Sequence, residues 1–595
     1  MKKHSEKAYN MLRIFLDVVR VNPTRFVLQY ATSITSFVFL GLFIPQLQNV
    51  FNNVAALIGT PSAENLRTLL VSLLLLFLYK CGSECLEIFN GYLGQASYHS
   101  CSAHFIDVYN HKLSRVSALA FENEQNLDLY SKALEGATTV RQTLHTLMDV
   151  FTVYIPYFVT VSIYLVKQDP SLLVILALLA VPVLVTNQIK KSINTKLHNN
   201  AVEPQRKKEE YAKYLSDSAY FKEVRVNRLF PHFYHKYQEA RAEYNRFFVQ
   251  ANRKKLTVDI VTKMITLLGF LAIVGLLMQR MVTGVISIGA FGAIFYSLEE
   301  MYGLMDEVLV SRMAEYHSYL PSLKSLINML NDKTNETAPS NAPKDFTNMS
   351  LENVSFTYPN AQQAALKNIS VTIHKNDRIA VVGHNGSGKS TLAKILTGLY
   401  QPMNGSIVMD GKPVNRMNTE NVSVMFQNFN RYKETVLNNV RISELELNAD
   451  LQQEKNRAGE MLEKVSLEFV GKDDAASGMD MLCAREFGGT DLSGGQWQKL
   501  AAARMLYRDR DFVVLDEPTA AIDPVSEYQL FDLFEKETKD KTAVIITHRM
   551  ASIRFCNKII VLQDGKIESI GDHETLMKTS PLYYQLYHAV EECYE

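Results

Sequence analysis

The segment Gly383-His384-Asn385-Gly386-Ser387-Gly388-Lys389-Ser390, continued by Thr391, decides the fold of the second half of this 595-residue chain. It fits the spacing G-x-x-x-x-G-K-[ST]. In such a loop the glycines let backbone N–H groups crowd around phosphate oxygens, the lysine neutralises the β/γ charge, and the hydroxyl can ligate Mg2+. The surroundings agree: Arg378–Val382 reads as a buried strand before the loop and Thr391–Leu396 as a helix after it. A glycine turn without a ligand would not need that context, so a nucleotide site is expected, with ATP as the nucleotide.

Downstream, Phe512–Leu515 is a second apolar strand, and it ends in Asp516-Glu517-Pro518. A carboxylate at the C-terminal edge of such a strand lies beside the phosphates, where Asp516 can hold Mg2+ through its water shell. Glu517 is then placed to orient or deprotonate an attacking water. From Leu351 onward short apolar strands alternate with helical stretches, which predicts an α/β domain with a largely parallel sheet over residues 346–595. The polar, proline-punctuated residues 331–345 read as a linker.

The first 330 residues have a different character. Phe26–Ala63 contains no Asp, Glu, Lys or Arg, and Val150–Val166, Ser171–Ile189, Met264–Gln279 and Met281–Leu298 are also uncharged and mostly apolar. Such segments approach or exceed the roughly 20 residues needed to cross a bilayer. Leu66–Tyr92 is a sixth candidate, interrupted by Lys80, Glu84 and Glu87. One such segment could be a buried helix of a large soluble protein; five in one domain point to a membrane, and six crossings are expected. Lys2, Lys3, Lys7, Arg13, Arg20 and Arg25 precede the first span, whereas no Lys or Arg follows it before Arg67, so the N-terminus is expected in the cytoplasm. Gly94–His145 and Lys190–Leu256 then also lie inside, as helices that continue beyond the membrane.

Lys plus Arg and Asp plus Glu number 62 each, so charge gives no bias towards nucleic acid. The six cysteines, Cys81, Cys85, Cys101, Cys483, Cys556 and Cys593, have no metal-binding spacing and read as reduced. Ionisable residues in or near the spans, namely Lys80, Glu84, Glu87, Glu299, Glu300, Asp306 and Glu307, face a wet cavity or one another in the usual case. Lys80 and Glu84 have helical pair spacing, and the acidic set on the last span would favour a cationic cargo.

Leu492-Ser493-Gly494-Gly495-Gln496 resembles the signature of ATP-binding-cassette proteins, and the order of motifs from about Asn348 to Ala589 follows that family's pattern. The resemblance implies further roles by position. Tyr358 stacks on adenine; Gln427 senses Mg2+ and the membrane domain; Asp523 lies in the loop between two sites; His548 contacts the γ-phosphate. It also implies that Ser493, Gly494, Gly495 and Gln496 close over the γ-phosphate bound by a partner's loop. With one cassette and about six spans, the chain resembles an exporter half-transporter that pairs with a second copy, and the intact Glu517 and signature favour a homodimer. Phe121-Glu122-Asn123-Glu124 and Ser218–Arg225 are the stretches expected to couple the membrane domain to the cassettes. Trp497 after the signature and Phe487-Gly488-Gly489 before it resemble exporters of lantibiotics and other ribosomally made peptides, although an aromatic there could equally pack locally. In that reading the short stretch before Phe26 leaves leader cleavage to another protein. Lipid or multidrug export is the alternative cargo class; an ATP-gated channel or regulator is the alternative of another kind, against which the intact Glu517 argues.

Overall fold

The computed structural model describes residues 8–445, 450–467, 478–518, 523–547, 553 and 555–591. The chain divides into two units. One comprises residues 1–114 and 128–332, the other residues 115–127 and 333–595.

The first unit is helical: α1 (Met11–Val21), α2 (Pro23–Gly59), α3 (Ala63–Leu113), α4 (Glu124–Asp149), α5 (Ile155–Gln168), α6 (Val174–Ser216), α7 (Ser218–Val226), α8 (Phe230–Val282), α9 (Ile288–Asp306) and α10 (Met313–Asn331). Single π-helical turns, Val150–Tyr154 and Glu307–Arg312, join α4 to α5 and α9 to α10. The core forms where α2, α5, α8 and α9 converge, around Ile44, Tyr157, Val161, Leu165, Ile273, Leu277 and Ile294. Close approach of α2 to α5 depends on Gly41, where a Cβ would fall 2.8 Å from Thr160 Cβ.

Among the described residues four helical stretches are long and apolar enough to cross a membrane: Pro23–Gly59, Ala63–Leu113, Glu124–Gln168 and Phe230–Val282. In Ala63–Leu113 and Phe230–Val282 only 17% of the apolar window is buried within the chain. Outward rows such as Leu70, Leu74 and Phe77, or Met264, Leu268 and Leu271, would be costly in water and suit lipid or a protein partner. The 51 residues of α3 extend about 75 Å, more than twice a hydrocarbon core of about 30 Å.

The interrupted segment Leu66–Tyr92, the sixth candidate span, lies within the continuous apolar helix α3, and Lys80 Nζ meets Glu84 Oε1 at 2.9 Å on its surface. One expectation needs correction. The uncharged run Met281–Leu298 is not one helix. It is cut at residues 283–287, where Gly284 takes φ +72° and the Gly284 and Val285 N–H groups cap the carbonyls of Met281 and Arg280. Ser287 then caps α9 by accepting the Ala290 N–H, so Glu299 and Glu300 fall inside that helix rather than at its end.

Among the described residues the second unit carries ten strands: β1 (Asn348–Phe356), β2 (Leu366–His374), β3 (Arg378–Gly383), β4 (Asn404–Met409), β5 (Lys412–Val414), β6 (Val422–Met425), β7 (Phe512–Asp516), β8 (Thr542–Ile546), β9 (Lys558–Gln563) and β10 (Lys566–Gly571). An antiparallel sheet has the order β2-β1-β4-β5. The other sheet has the order β10-β9-β3-β8-β7-β6, parallel except at β10. β7 and β8 are buried along their whole length, as a parallel strand covered on both faces must be. The helices that position the site are α11 (Lys389–Leu396), α12 (Val436–Arg441), α13 (Leu451–Lys464), α14 (Gly494–Arg508) and α15 (Pro524–Glu537), with α16 (His573–Thr579) and α17 (Pro581–Glu591) closing the chain.

Residues 115–127 belong to this second unit. Their 3-10 turn Ala118–Glu122 packs Ala118 and Leu119 on the β1/β2/α11 core. Backbone bonds from Ser117 N–H to Asn335 O and from Thr337 N–H to Arg115 O, each 2.8 Å, stitch the segment to residues 335–337.

Candidate nucleotide site

The site is built at the C-terminal ends of β3, β7 and β8, where side chains after adjacent parallel strands point into one crevice. After β3 the loop turns through Gly383, Gly386 and Gly388, all at positive φ. At Gly383 a Cβ would lie 2.2 Å from the Leu562 carbonyl oxygen, so the first glycine is required by close backbone approach. Lys389 opens α11 at 5% exposure, and its Nζ donates to the carbonyls of Gly383 at 2.8 Å and His384 at 3.0 Å. Burial holds its ammonium below the usual lysine range, against the opposing charges of Glu517 and Asp516. The Ser387 hydroxyl is buried without a partner in the same loop. A buried ammonium with an orphaned hydroxyl beside it is what an incoming phosphate would satisfy.

Asp516 ends β7, 5% exposed, and accepts the Ser390 hydroxyl at 3.3 Å. Burial pushes its carboxyl above the usual carboxylate range; Ser390 opposes this and the charge of Glu517 adds to it. One hydroxyl and one or two carboxylates make an all-oxygen donor set with few protein ligands, which fits Mg2+ sharing its shell with phosphates and water. Glu517 sits in the left-handed region at φ +47°, strain of order 1–2 kcal/mol for a residue with a Cβ. Its N–H bonds Ile546 O at 3.0 Å, and Gln427 Nε2 donates to its Oε2 at 2.6 Å. Gln427, Asp516, Glu517, Ser390 and Lys389 are thus brought together.

Tyr358 lies on the rim, its hydroxyl 3.2 Å from Thr391 Oγ1 and its ring edge-on to Phe356 and Tyr400. Ser493, Gly494, Gly495 and Gln496 form the N-terminus of α14. Ser493 accepts the Gln496 N–H while Gln496 Oε1 accepts the Ser493 N–H, a reciprocal capping box that spares two end donors. Among the described residues their side chains bond each other, not the phosphate loop. Asp523 caps α15, accepting the N–H groups of Val525 and Ser526, and those bonds hold its carboxyl below the usual range. His548 lies outside the described residues. Trp497 is 2% exposed within the core of α12, α13 and α14, so it packs locally.

Sequence reasoning missed two groups. Glu122 accepts the Tyr400 hydroxyl and lies 3.5 Å from Lys394 Nζ, which itself reaches Tyr400 at 3.2 Å and Tyr358 at 3.5 Å. Burial and the Glu122 contact push the Tyr400 hydroxyl up to about 12. Gln498, buried, donates from its amide to the Pro518 carbonyl. Glu122 stood in a stretch already singled out, but nothing in sequence pairs it with a tyrosine 278 positions away.

Residues 366–520 match the family model for ABC transporters. The chain is 28% identical to the subtilin transport ATP-binding protein SpaT of Bacillus subtilis over 85% of each chain. It is 31% identical to the nisin transport ATP-binding protein NisT of Lactococcus lactis over 62% of each, and 29% identical to an ATP-dependent lipid A-core flippase of Escherichia coli over 58% of this chain and 59% of that one. A solved bacterial Atm1-family ABC exporter with ATP bound superposes with a TM-score of 0.77 at 18% identity, covering 96% of this chain and 98% of that one. The chain therefore carries an ABC transporter domain behind a helical membrane domain, in the fold of an Atm1-type exporter.

Proposed function

We propose that the chain is one half of an ATP-hydrolysing exporter that works as a homodimer, with a ribosomally made, lantibiotic-like peptide as cargo. The observation that carries the ATPase reading is the junction of Lys389 and Ser390 after β3 with Asp516 and Glu517 at the end of β7, with Glu517 held by Gln427 at 2.6 Å. Ser390, Asp516 and Gln427 would hold Mg2+, which supplies charge neutralisation across the phosphates when bound. Lys389 exchanges its loop carbonyls for phosphate oxygens. Glu517 accepts a proton from the attacking water, or orients it, and His548 contacts the γ-phosphate.

Ser493 and Gln496 bond each other in the capping box at the start of α14, which leaves the signature for a role at a second copy's nucleotide. Two copies would then give two composite sites, each with Asp523 in the loop between them. The apolar outer faces of α3 and α8 support a multi-pass membrane domain; six crossings, with the N-terminus and the ABC domain in the cytoplasm, rest on the uncharged runs of the sequence and on the basic residues that precede the first of them. Peptide cargo is supported by the subtilin and nisin transport relatives; the lipid A-core flippase relatives keep a lipid as the second reading. Inside-out vesicles test both. Accumulation of a precursor peptide that requires ATP and Glu517 supports the first, and lipid flipping without peptide uptake supports the second.

A further inference from the structure

Glu517 adopts a backbone conformation that it would not hold unaided, and the residue after it limits how it can be held. Glu517 N–H bonds Ile546 O, and Pro518, which has no N–H, offers its carbonyl as the backbone acceptor on the far side of the Glu517–Pro518 peptide. Pro518 is buried, and that carbonyl receives the side-chain amide of Gln498, itself 2% exposed. Gln498 lies on α14, whose N-terminus is the Ser493 capping box. One side chain therefore spans from the signature helix to the peptide that sets the direction of the Glu517 carboxylate.

We propose that Gln498 is a positioning residue for ATP hydrolysis, fixing the Glu517–Pro518 turn and linking the signature helix to the carboxylate of the same chain. The inference rests on the reading of Glu517 as the group that acts on the attacking water. If Ser493 serves the nucleotide of a second copy, a shift of α14 at that nucleotide reaches Glu517 at the chain's own nucleotide through the Gln498–Pro518 hydrogen bond. Each site would then report its closure to the other.

The test uses the full-length chain in lipid nanodiscs, with steady-state ATPase and ATP-binding measurements on wild type, Glu517→Gln, Gln498→Met and Gln498→Glu. Methionine keeps the length of the side chain and removes the donor. The expected result for Gln498→Met is a fall of about tenfold or more in kcat, with KM and ATP affinity within about twofold and a Hill coefficient lowered towards 1, since a small displacement of a reacting group is enough for that loss. An unchanged kcat and Hill coefficient, with Glu517→Gln inactive, would overturn the inference and leave the ATPase reading intact. An active Glu517→Gln would overturn the reading itself. Should Gln498→Met not fold, Gln498→Glu decides: a buried carboxyl donates to Pro518 only when protonated, so its kcat relative to wild type should rise as pH falls from 8.5 to 6.5. A flat ratio would overturn the proposal.

Discussion

At the scale of single residues, the site is organised around groups whose burial is compensated only by one another. Lys389 leans on two carbonyls of its own loop, and Asp516 on one serine hydroxyl. Replacing Lys389 with Ala should abolish ATP-dependent thermal stabilisation of the protein, because the phosphates lose a desolvated positive charge worth far more than a surface one. A variant that is still stabilised by ATP to the wild-type extent would contradict the assignment. A second prediction concerns Cys483, 3% exposed, whose thiol burial pushes up to about 11. The sign is that of a raised acid: the thiol stays protonated well past neutrality, and at pH 8 only about one molecule in a thousand is thiolate. Mass spectrometry after maleimide treatment at pH 8 should find Cys483 unmodified in the native protein and modified after unfolding.

At the scale of elements, what was legible in the sequence is what local chemistry determines. The phosphate loop, its flanking β3 and α11, and Asp516 at the end of β7 follow from a motif and a run of apolar residues, because parallel strands buried on both faces have few alternatives. The break between α8 and α9 escaped a reading based on charge, since residues 281–298 carry none; its signals were Gly284 at a helix C-terminus and Ser287 at the next N-cap. Asp523 and Ser493 show that a motif position can also be a helix cap, which sequence order alone does not reveal. The ties from Glu122 to Tyr400 and Lys394 join segments far apart in the chain, beyond any periodicity.

The element-level prediction concerns those ties. Glu122 sits between α3 and α4, on a turn seated against the helix that follows the phosphate loop, and Tyr358 is joined to the same cluster. Glu122→Ala should keep basal ATPase within about twofold, since an exposed pair contributes little by itself, while reducing the stimulation of ATPase by cargo. Retained stimulation would show that the turn transmits through its packed Ala118 and Leu119 alone. On α9, Glu299→Gln with Glu300→Gln should weaken stimulation by a cationic cargo; unchanged stimulation would dispose of the charge-recognition idea.

For the whole molecule, the central claim is that ATP hydrolysis in a pair of these chains moves a peptide across a membrane. The apolar rows left open on α3 and α8, the long extensions of α3, α6 and α8, and a signature whose Ser493 and Gln496 bond each other all fit a membrane protein that is completed by a second copy. The most direct measurement is uptake of a labelled precursor peptide into inside-out vesicles carrying the native chain or its Glu517→Gln variant. The account predicts ATP-dependent accumulation with the native chain and none with the variant. Equal accumulation by both, or hydrolysis by the native chain without any uptake, would contradict it.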